Sequence, residues 1–166
     1  MKSSFSPKYS GTQLTFLTIL RVLIGWHFLY EGLTKLTNPD WSSFGFLMDS
    51  KWIFAGFFES LTLNQGILHV VDFLNVWGLI LIGLALILGI LTRPALISGI
   101  VLLGFYYLSH PPLIGITYAI PSEGTYLWVN KNLIELFALA VLYVFPSERI
   151  TGIDQWLFSR TKNKQQ

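Results

Sequence analysis

No cysteine occurs among the 166 residues. Disulfides, thiol catalysis and thiolate metal sites are therefore excluded, and electron transfer would need a bound cofactor, a quinone or a partner subunit. Charge is also scarce, at 12% of residues, about half the share usual in soluble proteins. The 11 basic and 9 acidic residues nearly cancel, leaving +2, and the basic ones are scattered between apolar stretches. That distribution gives no footprint for nucleic acid. Histidine is limited to His27, His69 and His110, with no ligand spacing around them, so neither a metal nor a haem is expected. Internal repeats and low-complexity tracts are lacking too.

Apolar surface is what the chain has in excess: 52% hydrophobic and 16% aromatic residues. Too few polar groups remain to cover such a chain in water, so lipid is the expected solvent. The length suits one domain over residues 1–166. Four apolar runs, at about 14–33, 73–91, 94–109 and 127–145, each approach the roughly 20 residues a helix needs to cross hydrocarbon. Continuous apolar runs without strict alternation favour helices over barrel strands. The expected fold is an all-α membrane protein, a four-transmembrane-helix bundle. The polar start MKSSFSPKYSGTQ precedes a span too long for a signal-peptide core, which reads as an uncleaved first helix.

Basic residues set the expected orientation. Lys2, Lys8, Arg93, Arg149, Arg160, Lys162 and Lys164 fall on one face, and Lys35, Lys51 and Lys131 on the other, beside Glu31, Asp40, Asp49, Glu59, Asp72 and Glu123. The seven-to-three split places both termini in the cytoplasm of a multi-pass inner-membrane protein. Between the first two helices, WSSFGFLMDSKWIFAGFFESL is aromatic but interrupted by charge, which suits an amphipathic element in the outer interface. A second external loop, HPPLIGITYAIPSEGT, is set by prolines, and GIDQWLF near the C-terminus suits a short interfacial helix. Ala85 with Gly89, Ala95 with Gly99, and Gly25 with Gly32 have the spacing of close helix packing.

Polar residues inside the spans are the candidates for function. Arg21 lies roughly 14 Å into the first helix and Glu135 roughly 15 Å into the fourth. Matching depth predicts a buried ion pair, since either charge alone would cost about 3 kcal/mol. His27 and Glu31, one turn apart, are candidate proton-exchanging residues. Tyr106 and His110 at the outer end of the third helix, with Trp128 and Asn132 on the fourth, would complete an aromatic-walled polar pocket. A flat quinone head group needs such an environment. Plainer readings stand beside these: the Arg21–Glu135 pair as a structural clasp, and the tyrosines and tryptophans as an interfacial aromatic belt.

The run R-x3-G-x6-G-x2-K, here Arg21, Gly25, Gly32 and Lys35, resembles the first helix of the DoxX/DoxD membrane protein family. WGLILIGLALILGILTRPA and VNKNLIELFALAVLYVFPSERITGID are similar to its later helices and turns. Within that family GWHFLYEGLTKL, NPDW and VDFLNVWG look closest to DoxD-like members, the small membrane subunit of thiosulfate:quinone oxidoreductase. The resemblance implies electrons passing from thiosulfate, or another donor, to membrane quinone, with a separate protein subunit or a homo-oligomer as partner. Two other readings are a non-catalytic scaffold that holds a partner protein and a small transporter that works only as an oligomer.

Overall fold

The computed structural model describes residues 9–119 and 127–155, with Arg149 described by its backbone alone. Four long helices carry the fold: α1 (Gly11–Thr37), α4 (Gln65–Leu88), α5 (Thr92–Ser109) and α6 (Lys131–Val144). Three short ones complete it: α2 (Phe44–Met48), α3 (Ala55–Ser60) and α7 (Glu148–Thr151). No strand occurs among the described residues. Lys2, Lys8, Glu123, Arg160, Lys162 and Lys164 lie outside the described residues, as do the ends of HPPLIGITYAIPSEGT and GIDQWLF.

Local chemistry explains why the helix limits differ from the hydropathy runs. Ser10 and Gln13 form a reciprocal capping box, so α1 starts at Gly11 rather than near Leu14. Asn64 accepts from the backbone N–H groups of Gly66 and Ile67, and α4 starts at Gln65, well before the apolar run. Asn130 caps Leu133 in the same way, starting α6 at Lys131. Gly89 ends α4 in the left-handed region (φ 65°), where an L-residue would be strained, and Ile90 N–H closes back on Ala85. Among the described residues α1 and α4 are long and apolar enough to cross a membrane.

The α1–α4 pair is antiparallel and in backbone contact. A Cβ on Gly83 would lie 2.5 Å from Leu29 N, one on Gly25 3.0 Å from Gly83 O, and one on Gly32 2.9 Å from Ile80 N. Small residues permit this approach. Gly25 and Gly32 thus serve as expected, with Gly83 as the partner that spacing alone did not single out. Gly89 is instead the helix stop. α5 packs on α4 and α6, with Gly99 against Leu139, and α6 returns to α1. Phe28, Leu86, Leu96, Leu139 and Leu142 fill the space between them.

The expected Arg21–Glu135 pair does not form. Arg21 is 2% exposed, beside the α4–α5 turn: a Cβ on Gly89 would lie 3.0 Å from its Nη1. Its Nη2 donates to Thr151 O at 3.3 Å, and its electrostatic partners are the buried carboxylates of Glu148 and Asp154. Counting along α1 alone puts Arg21 in mid-membrane. In fact the first turns of α1 extend past the end of α4, so Arg21 is level with the turn. The chain after α6 then folds back beneath it.

That returning segment is locked by Asp154. One carboxylate oxygen accepts from Leu91 N (2.9 Å) and the other from Thr92 N (3.0 Å), capping α5 from a distant part of the chain. Asp154 N–H donates to Gly89 O at 2.8 Å. The cap also holds Leu91 in a left-handed conformation, φ 48°, which for an L-residue costs about 1–2 kcal/mol. Asp154→Ala should therefore lower the unfolding free energy in detergent by about 2–4 kcal/mol, through the lost cap and the loss of one of the two carboxylates beside the buried guanidinium. An unchanged melting temperature would count against this clasp.

Candidate functional site

At the end of the molecule opposite Arg21, a cavity of about 540 Å³ opens between α1, the middle of α4, the end of α5 and the start of α6. Its inner wall is apolar, formed by Phe28, Leu79 and Leu103. Two polar groups project into it.

The first centres on His27 and Glu135. His27 Nδ1 lies 2.8 Å from Glu135 Oε1, and Glu31 sits one helical turn along α1, 4.0 Å from His27 Nε2. With Glu135 ionised, the contact requires the hydrogen on Nδ1, leaving Nε2 as the exchangeable position on the Glu31 side. Glu135 is 9% exposed, and its second oxygen, Oε2, is buried without a hydrogen-bond partner among the described residues. Such an atom is costly to leave unpaired, and sites that do so are places to look for a ligand.

The second group is Lys35, Asn75 and Tyr106. Lys35 Nζ donates to Asn75 Oδ1 (3.0 Å) and to Tyr106 OH (3.3 Å), and lies 3.9 Å from Glu31 Oε2. Asn75 Nδ2 donates to Tyr106 OH at 2.7 Å. The ammonium also faces the rings of Trp41 and Tyr106, 5.2 and 5.4 Å from their centroids. His27, Glu31 and Lys35 succeed one another at four-residue spacing, so one stripe of α1 supplies both groups.

The DoxX family model matches residues 16–111, more than half of the chain. This chain belongs to the DoxX family. No curated protein and no solved structure matches it. Family membership, with two helices apolar and long enough to cross a bilayer, makes this a membrane protein. The matched DoxX span runs from within α1 to just past α5 and so includes His27, Glu31, Lys35, Asn75 and Tyr106, while Glu135 comes from beyond it.

The roof of the DoxX cavity is built by the aromatic segment after α1. Asp72 of α4 accepts from Ser43 N (2.8 Å) and Ser42 Oγ (2.9 Å), tying the start of α2 down. Phe46 then stacks on His110 at 4.0 Å, and Tyr118 flanks the same imidazole at 4.6 Å. His110 Nδ1 is 3.0 Å from Ser109 Oγ, which is bonded in turn to Ser50, and Nε2 lies 3.8 Å from Asp49 Oδ2. The segment expected as one interfacial element is thus divided. α2 turns Leu47 inward and lays Phe46 over the cavity, whereas α3 buries Phe58 and leaves Phe57 exposed.

Six expected residues line the cavity: His27, Glu31, Tyr106, His110, Asn132 and Glu135. Arg21 is at the far end of the molecule. Trp128 is 59% exposed and does not line the cavity; its backbone oxygen accepts from Tyr107 OH at 2.8 Å. The sequence singles out Lys35 only through the family resemblance, and Asn75 not at all. An asparagine within the apolar run VDFLNVWG is the signal that finds it, because an amide in such a setting requires partners.

His110 lies one residue beyond α5, and burial lowers its pKa below the ordinary histidine value, against an opposing pull from Asp49. The unfolded chain therefore takes up this proton first. The stability due to neutral His110 is full above about pH 6.5 and is lost as pH falls through the lowered folded value. The difference in melting temperature between pH 8 and pH 5 should accordingly be smaller in His110→Gln than in the unaltered protein. Equal differences would rule out His110 as a source of acid sensitivity.

Proposed function

We propose that this DoxX protein is an integral inner-membrane subunit whose cavity binds the head group of a quinone, within a quinone-linked oxidoreductase. All four long helices cross the bilayer in this reading, with both termini cytoplasmic and the cavity toward the outer leaflet. α6 spans only about 21 Å by itself, and the flanking residues Leu127–Asn130 and Phe145 add the missing length. Large side chains such as Phe16, Leu23, Phe73, Leu81 and Phe137 face outward on α1, α4 and α6, as lipid contact requires.

The observation that carries the reading is the His27–Glu135 pair, with its unpartnered Oε2, against apolar walls. Quinone chemistry moves two electrons and two protons. His27 holds a proton on Nδ1 against Glu135 and can exchange another at Nε2 with Glu31, which is 43% exposed. Phe28, Leu79 and Leu103 hold a flat ring and keep water from it. Electrons come from a separate subunit, with thiosulfate or another donor as their source, since this chain has no dithiol of its own.

Protein purified in mild detergent should carry about one quinone per chain when its lipids are extracted. Glu135→Gln or His27→Gln in the assembled complex should reduce quinone turnover by about a hundredfold, the usual contribution of a proton-transferring group. Protein that co-purifies stoichiometrically with a partner but without quinone would replace this reading with the scaffold one.

A further inference from the structure

The hydrogen bonds around Tyr106 determine which way each hydrogen points. An ammonium can only donate, so Lys35 donates to both Asn75 Oδ1 and Tyr106 OH. With its carbonyl oxygen turned to Lys35, Asn75 must present Nδ2 to Tyr106, 2.7 Å away. Two donors therefore fill the acceptor positions of the phenol oxygen. The hydrogen of Tyr106 itself has no acceptor among the described residues, and Tyr106 lines the cavity. On the α6 side, Glu135 Oε2 is an acceptor without a hydrogen-bond donor among the described residues. Alongside His110 Nε2, which is also without a hydrogen-bond partner among these residues, the cavity thus presents an unused donor on α5 and an unused acceptor on α6.

We infer that Tyr106 donates its hydroxyl hydrogen to an acceptor oxygen on the ligand, that Lys35 and Asn75 are positioning residues holding Tyr106 in that role, and that Glu135 accepts from a hydroxyl elsewhere on the same ligand. The ligand class is an aromatic ring bearing an acceptor oxygen and a hydroxyl, the pattern of a hydroquinone. A carbonyl facing Glu135 Oε2 would set two hydrogen-free oxygens against each other, so the site favours the reduced form of a quinone over the oxidised form. This rests on the quinone reading and specifies which end of the ring meets which residue.

Two stable probes of nearly the same shape test it: 4-methoxy-1-naphthol, which has the acceptor oxygen, and 4-ethyl-1-naphthol, which has a methylene in its place. Titration into the purified protein, followed by tryptophan fluorescence, should show the methoxy probe binding about tenfold tighter, the worth of one buried hydrogen bond. Tyr106→Phe should bring that ratio to about one, and Lys35→Met or Asn75→Leu should reduce it several-fold with the melting transition still cooperative. Glu135→Gln should weaken both probes and leave the ratio in place. Equal binding of the two probes to the unaltered protein, or an unchanged ratio in Tyr106→Phe, overturns the inference. The quinone reading fails separately, when extracted lipid contains no quinone.

Discussion

The contact on which the structure depends is glycine against backbone between α1 and α4. Gly25 and Gly32 lie against Gly83 and Ile80 at distances that leave no room for a methyl group, so the two helices have one register and one separation. Everything polar takes its place from that register. Arg21 comes level with the α4–α5 turn, while Lys35 comes level with Asn75, two α-turns before Gly83. A slide of one helical turn, about 5.4 Å, would separate Lys35 from Asn75 and draw the guanidinium away from Asp154.

From this arrangement come two polar centres of opposite character at the two ends of the molecule. At one end Arg21, Glu148 and Asp154 are each no more than 5% exposed, enclosed by the returning chain and by Gly152 packed on Gly89. That centre is a clasp: Asp154 caps α5, Glu148 and Asp154 together offset a buried cation, and its residues do not line the cavity. At the other end His27, Glu31, Lys35 and Glu135 surround open volume and leave Glu135 Oε2 unpaired. The closed centre has the features of stability and the open one those of chemistry. Charge buried in an apolar chain is thus not one signal but two, and only the surrounding volume separates them.

Most residues of the open site are legible in the sequence. His27, Glu31, Tyr106, His110, Asn132 and Glu135 stand out as polar groups in or at the ends of apolar runs, and lipid makes such residues conspicuous. Lys35 is visible too but passes for a boundary lysine, since snorkelling at a helix end and capture by an asparagine and a tyrosine look alike in one dimension. Asp154 and Glu148 cannot be read as partners of Arg21. They lie in SERITGID, a segment without periodicity, and its return to the α4–α5 turn is a long-range event.

By itself the sequence determined that the chain is helical, that it lacks thiol chemistry, and that a few polar residues must find partners away from water. Those conclusions follow from composition and from the demand of every backbone in an apolar medium for internal hydrogen bonds. Only the tertiary structure decided which partners they find: Glu135 with His27 rather than Arg21, and Arg21 with the acids after α6. The reason is geometric. Depth counted along one helix does not say how its neighbour is placed against it, and here the α1 residue that meets Glu135 lies six positions beyond the expected one, about 9 Å along the helix.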